Sequence, residues 1–167
     1  MKIKIKKWIV RIIRLMLFAS TVLFFSFQFA LRVSKNKDRT VAKYKSYYLL
    51  VLKWLTNLEN GQRICDYLER KGYTSIAVYG DGDIGEHLIR QLYETDISVK
   101  YVIDKMLFRP KAHQIPTYSM TDEKLPEVNA IIVTPIWDYE NIREELLEKV
   151  NYPIISIKDM IVGEKNE

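Results

Sequence analysis

Lysine and arginine alternate with aliphatic residues over the first fourteen positions, and Leu15 to Leu31 then carries no formal charge. Seventeen residues of helix span about 25 Å, against ~30 Å for the hydrocarbon core of a bilayer. Ile9, Val10, Ile12 and Ile13 lengthen that span if Arg11 and Arg14 snorkel. Residues 1–34 therefore read as a basic N-terminus and a membrane-anchor helix. An interfacial helix with a basic face, a cleaved signal peptide and a buried soluble helix are the alternatives. Gln28 and Ala30 make a poor small-x-small cleavage site.

Residues 35–72 mix polar and apolar positions with a helical period. Tyr44, Tyr47, Tyr48, Val51, Leu55 and Leu58 recur on one predicted face, and Asn60-Gly61 can end that helix. A short second helix, with Ile64, Tyr67 and Leu68 inward, stops at Lys71-Gly72. The segment reads as a helical linker that packs on the domain C-terminal to it.

Over 73–162 the pattern switches between apolar runs and amphipathic stretches. Ile76–Tyr79, Val99–Ile103, Val128–Val133 and Pro153–Ile157 read as strands, with Ile115–Tyr118 a short edge strand. Ile84, Leu88, Ile89, Leu92 and Tyr93 mark one helix face. Tyr139, Ile142, Leu146, Leu147 and Val150 mark another, N-capped by Asp138. Lys158–Ile161 reads as a turn and 163–167 as a tail. Strands alternating with helices predict an α/β domain: a small parallel sheet with flanking helices.

The turn after the first strand adds chemistry to this outline. Gly80, Gly82 and Gly85 stand at G-x-G-x-x-G spacing between a predicted strand and a predicted helix. Gly80 permits a tight turn, Gly82 lets the backbone approach a pyrophosphate, and Gly85 lets the helix pack close to the strand. Asp104 ends the second strand, where an acid accepts from ribose hydroxyls. In that context the fingerprint predicts a Rossmann-like fold. Asp81, Asp83 and Ile84 in the loop, Lys105 beside Asp104, and Thr134-Pro135 at the end of a neighbouring strand complete the candidate cofactor-binding set. NAD or a nucleotide sugar would suit it. A purely structural reading competes: the glycines serve packing, and Asp81, Asp83 and Glu86 cap the helix in place of a phosphate.

Charge divides the chain. Residues 1–45 hold twelve Lys/Arg and one acid, and the remainder holds fourteen Lys/Arg and twenty acids. The body is mildly acidic, which argues against nucleic acid as a partner. Six cations precede the apolar run and six follow it, so the positive-inside rule leaves orientation open. A domain that uses nucleotides would face the cytoplasm. Cys65, the single cysteine, excludes an internal disulfide and reads as a small core residue.

Catalytic signals are sparse. Metal-ligand spacing, a Ser-His-Asp arrangement and a phosphate-loop lysine are all missing from the sequence. Tyr101 and Lys105 have Y-x-x-x-K spacing but fall in a strand rather than on a helix. His87 follows the glycine loop and could face a ligand, although a surface histidine is the plainer reading. Arg109, Lys111 and His113 sit in a basic loop from which a cation could reach a phosphate.

Lys-Tyr-Lys-Ser-Tyr-Tyr (43–48), Trp54-Leu55, Ile76 to Gly85, Tyr101 to Lys105 and Ile132 to Tyr139 resemble Rossmann-like proteins of bacterial capsule and surface-polysaccharide gene clusters. The βαβ unit is similar to the N-terminal nucleotide-sugar-binding domain of sugar acyltransferases and to nucleotide-binding regulatory domains of potassium channels. The acyltransferases carry their chemistry on a repeat domain, and no repeat appears in this sequence. The resemblance implies a membrane-associated accessory protein that binds a nucleotide or nucleotide sugar in polysaccharide synthesis. A ligand-free scaffold tethering a glycosyltransferase and an NAD-dependent nucleotide-sugar enzyme are the other functions it leaves open.

Overall fold

In the computed structural model, residues 2–105, 114–122 and 124–163 are described, with backbone alone for 2–13. The apolar runs become strands Ser75–Tyr79 (β1), Ser98–Ile103 (β2), Ala130–Val133 (β4) and Ile154–Ser156 (β5), joined at one edge by Thr117–Tyr118 (β3). All pairings are parallel and the order is β3-β2-β1-β4-β5. Central strands buried on both faces need no polar alternation, and Ile76 to Tyr79 and Ala130 to Val133 are buried throughout.

The chain begins the sheet at its centre, works outward to β3, then returns to lay β4 against the free side of β1. Strand order therefore reverses between β1 and β4. Ligand crevices of open parallel sheets form at such a reversal, beyond the C-terminal strand ends.

Among the described residues five helices accompany the sheet: Lys2–Glu59 (α1), Ile64–Arg70 (α2), Asp83–Leu92 (α3), Tyr139–Leu147 (α4) and Ile157–Val162 (α5). Strand alternation sends Ile76, Val78, Val102, Ala130 and Ile132 to a core shared with Leu50 and Trp54 of α1 and buried residues of α2, α3 and α5. Ala77, Tyr79, Tyr101, Ile103, Ile131 and Val133 form a second core with Ile142 and Leu146 of α4. Gly72, at φ 75°, turns the chain from α2 into β1, and the Tyr73 N–H donates to the Leu68 carbonyl at 2.9 Å.

The chain divides into two compact units, 1–46 and 47–167. In the first, the side chains of Leu15 to Leu31 are all exposed. The hydroxyls of Ser20, Thr21 and Ser26 donate to carbonyls three residues back, at 2.8, 2.7 and 2.9 Å, which satisfies them inside the helix. By length and composition this helix can cross a membrane.

In the second unit, the last part of α1 and all of α2 pack on the sheet, so the expected divisions at 34 and 72 do not coincide with the compact units. Trp54 Nε1 donates to Gln91 Oε1 at 3.2 Å, and Asn57 Nδ2 to the Ile161 carbonyl at 2.7 Å. The buried face of α1 is not the predicted one. Leu50 and Trp54 point inward and Leu58 is half-buried, whereas Tyr48, Val51 and Leu55 are exposed. This helix is apolar on both sides, so periodicity alone picks no unique face. Tyr93 and Leu147 are also exposed, each beside the end of its helix. Ile157 begins α5 rather than ending β5, because the Ser156 hydroxyl caps that helix and accepts from the Lys158 N–H at 3.3 Å. Arg109, Lys111 and His113 lie outside the described residues.

Candidate functional site

The meeting of the chain ends at the β1–β4 reversal is built by backbone before side chains. Gly80 follows β1 with φ 94°, a conformation L side chains rarely adopt. Its N–H donates to the Ile103 carbonyl at 2.8 Å, extending the β1–β2 pairing one residue. A Cβ at Gly80 would stand 2.6 Å from Thr134 Oγ1 and 3.0 Å from Pro135 Cδ. The loop after β1 and the loop after β4 thus touch where only glycine fits. The Thr134 hydroxyl fixes this contact, lying 3.1 Å from the Tyr79 carbonyl and 3.0 Å from the Gly80 carbonyl.

Gly85 performs the packing role its spacing suggests. A Cβ there would collide with the Gly80 carbonyl oxygen, and Val78 Cγ1 lies 3.7 Å away. The first turn of α3 therefore rests directly on the glycine turn. Gly82 is the N-cap of α3, with φ −86° and ψ −172°, extended backbone open to any residue. As a glycine it offers no side-chain cap of its own. Asp83 and Glu86 lie in the first turn of α3 and favour the helix through its dipole. The Asp138 side chain likewise makes no capping bond, although Asp138 does occupy the N-cap position of α4.

Asp104 follows β2 directly and reaches across to β1. Its Oδ2 accepts from the Asp81 backbone N–H at 2.6 Å, a short charge-assisted bond. The Asp81 side chain is buried at 5% exposure. Gly80, Asp81, Asp104, Thr134 and Pro135 are thereby held in one constellation, with Gly82 and Gly85 stacking α3 above it. Asp83 and Lys105 are exposed at its rim. Ile84 and His87 turn elsewhere, lining a groove with Val51, Trp54, Leu55 and Leu58 of α1. Their side chains face α1, because α3 presents that flank to it.

Two tyrosines belong to this neighbourhood although no sequence pattern marks them for it. Tyr79, the last residue of β1, has a buried hydroxyl with no hydrogen-bond partner among the described residues. Burial first, then the fields of Glu145, Asp104 and Asp138, push its pKa up. Tyr47 of α1 reaches the loop after β4: burial raises its pKa, while hydrogen bonds from the backbone of Ile136 and Trp137 oppose the rise. Strand alternation places the Tyr79 ring on the α4 side of the sheet. The sequence carries no signal for what surrounds its hydroxyl.

Tyr101 is fully buried, and its hydroxyl bonds that of Tyr152 at 3.1 Å, so the Y-x-x-x-K pair has no catalytic geometry. Among the described residues no three His, Cys, Asp or Glu side chains gather to hold a metal ion. A helix that starts at a glycine, with a fixed carboxylate beside it, is an arrangement that can receive an anion and hydroxyl groups. Against known proteins, the chain matches no family model, no curated sequence and no solved structure.

Proposed function

We propose that the second unit is a Rossmann-like domain that binds a nucleotide or nucleotide sugar at the β1–β4 crevice, and that the N-terminal helix anchors it to a membrane with the domain on the cytoplasmic side. The observation that carries this reading is the start of α3. It begins at a glycine without a side-chain cap, on a turn no Cβ could enter, beside a carboxylate already positioned at the loop. The N–H groups at a helix start attract a diphosphate, and Asp104 stands where ribose hydroxyls would lie. The polysaccharide setting rests on the residue resemblance alone, as an accessory role beside a glycosyltransferase.

Thermal scanning of the full chain with NAD, NADP, UDP-sugars and CoA tests the reading. A ligand at 1 mM with a Kd of ~0.1 mM stabilises by about 1.4 kcal/mol. No stabilisation by any of the four classes would overturn it.

One observation favours a second reading, the ligand-free scaffold. Asp81 places a buried carboxylate within the loop where a pyrophosphate would sit. In that case every ligand leaves the melting curve unchanged, and the domain serves by its surface.

A further inference from the structure

The face of α1 turned away from the sheet is unusually apolar for the outside of a folded unit. Tyr48, Leu49, Val51, Leu52 and Leu55 are 62, 52, 44, 42 and 51% exposed. None carries a charge, and the groove they border continues over Leu58, Ile84, His87 and Gln91. The five residues present roughly 500 Å² of largely apolar surface, at the upper end of the ~300–600 Å² of the largest patch on a typical monomer.

Their spacing is specific. Tyr48, Val51 and Leu55 stand three and four residues apart, and in the sequence the same alternation runs back through Tyr44 and Val41 and on to Leu58. Apolar residues at alternating three- and four-residue steps form the a/d seam by which one helix pairs with another of the same pattern. A solitary helix packed on a sheet needs one buried stripe, and Leu50 and Trp54 already provide it. The outward seam is a second stripe.

We infer that α1 pairs with α1 of a second copy of this chain, in parallel and in register, through Tyr48, Val51 and Leu55. A two-fold pairing sets each seam residue against its own counterpart, and all three are uncharged, so no like charges meet. Tyr48, Val51 and Leu55 hold only part of that exposed surface, so the seam by itself is at the small, weak end of specific interfaces. A lipid surface fits the patch less well, because Arg32, Lys35, Lys37, Arg39, Lys43 and Lys45 separate it from the apolar run that ends at Leu31. Two or three heptads are marginal alone. Confinement of both copies to one membrane raises their effective concentration. The parallel sense rests on the proposed anchor, and the pairing itself does not.

Single-cysteine scanning of the full chain, in mild detergent and in membranes, tests the pairing after Cys65→Ser. Tyr48→Cys, Val51→Cys and Leu55→Cys should each give same-residue cross-linked dimer. Lys53→Cys and Thr56→Cys, exposed on other sides of the helix, should give at least tenfold less. Light scattering should find a dimer that Tyr48→Asp with Val51→Asp converts to monomer, with the far-UV circular dichroism unchanged. A monomeric wild type overturns the inference, as does equal cross-linking at all five positions. Seam positions protected only when lipid is present would assign the face to the membrane and also overturn it. Sedimentation with membranes reads the anchor separately from the pairing.

Discussion

The Asp104 carboxylate is tied to the Asp81 backbone N–H at 2.6 Å, so the acid at the end of β2 holds the loop at the end of β1. Asp104→Ala deprives that N–H of its charged acceptor and should cost about 1–3 kcal/mol in urea unfolding. Asp104→Asn keeps an acceptor and should cost less than half as much.

The same contact sets a ligand preference under the nucleotide-binding reading. A 2′-phosphate beside Asp104 meets like charge, so NAD should bind at least tenfold more tightly than NADP, a gap of about 1.4 kcal/mol. Asp104→Asn should narrow that ratio in calorimetric titration. Equal affinities in both proteins would show that Asp104 does not read the ribose. Lys105 lies next door but is exposed at the rim.

Glycine substitutions should separate by location. Gly80→Ala adds strain at φ 94° to a 2.6 Å clash with Thr134 Oγ1, and Gly85→Ala drives a methyl group into the Gly80 carbonyl. Each should cost more than about 3 kcal/mol or prevent folding. Gly61→Ala meets nothing within 4 Å and carries only its positive φ. It should cost about 1 kcal/mol by the same unfolding measurement.

Adjacent leucines of α4 offer a sharper contrast. Leu146 is fully buried and Leu147 is 49% exposed. Leu146→Ala should cost about 2–5 kcal/mol through its cavity, and Leu147→Ala about 0.5 kcal/mol. Denaturant midpoints measured at constant m-value decide it.

Alkaline pH should unfold the sheet domain cooperatively. Burial, the first cause in each case, raises the pKa of Tyr101, Tyr79, Tyr47 and Tyr139 above 10, the ordinary tyrosine value. A raised folded pKa means the unfolded state loses its proton first. These groups therefore stabilise fully below about pH 10, and that contribution is lost as pH rises from there toward their folded values. Where the shift is large, as at Tyr101, the slope approaches about 1.4 kcal/mol per pH unit once the unfolded state has lost its proton. Tyr101→Phe should reduce the slope of stability between about pH 10 and about pH 11 by about 1 kcal/mol per pH unit.

Strands and turns were legible because their signals are local. Continuous apolar runs at Ile76–Tyr79 and Val128–Val133 pointed to buried strands, and Gly72 and Gly80 punctuated them where left-handed backbone was needed. The meeting of Gly80 with Thr134 and Pro135 could be anticipated from strand order, since a β4 beside β1 brings their C-terminal ends together. The inward face of α1 was not legible. Leu50 and Trp54 compete with an equally periodic outer stripe, and only the position of the sheet breaks the tie. Ser156 ended β5 early because a cap can act one residue before the apolar run finishes. The buried hydroxyl of Tyr79 depends on three elements distant in sequence, which no local pattern encodes.

Both sheet edges are short: β3 has two residues and β5 three. An unpaired edge is a template on which another chain can add a strand. Molecules held on a membrane, as proposed for this chain, meet often, and long flat edges would let such encounters grow into open-ended polymers. Here the backbone offers too little ladder for that growth. Under the proposed pairing, association falls to side chains on helix faces, which close on a fixed number of copies and can be reversed.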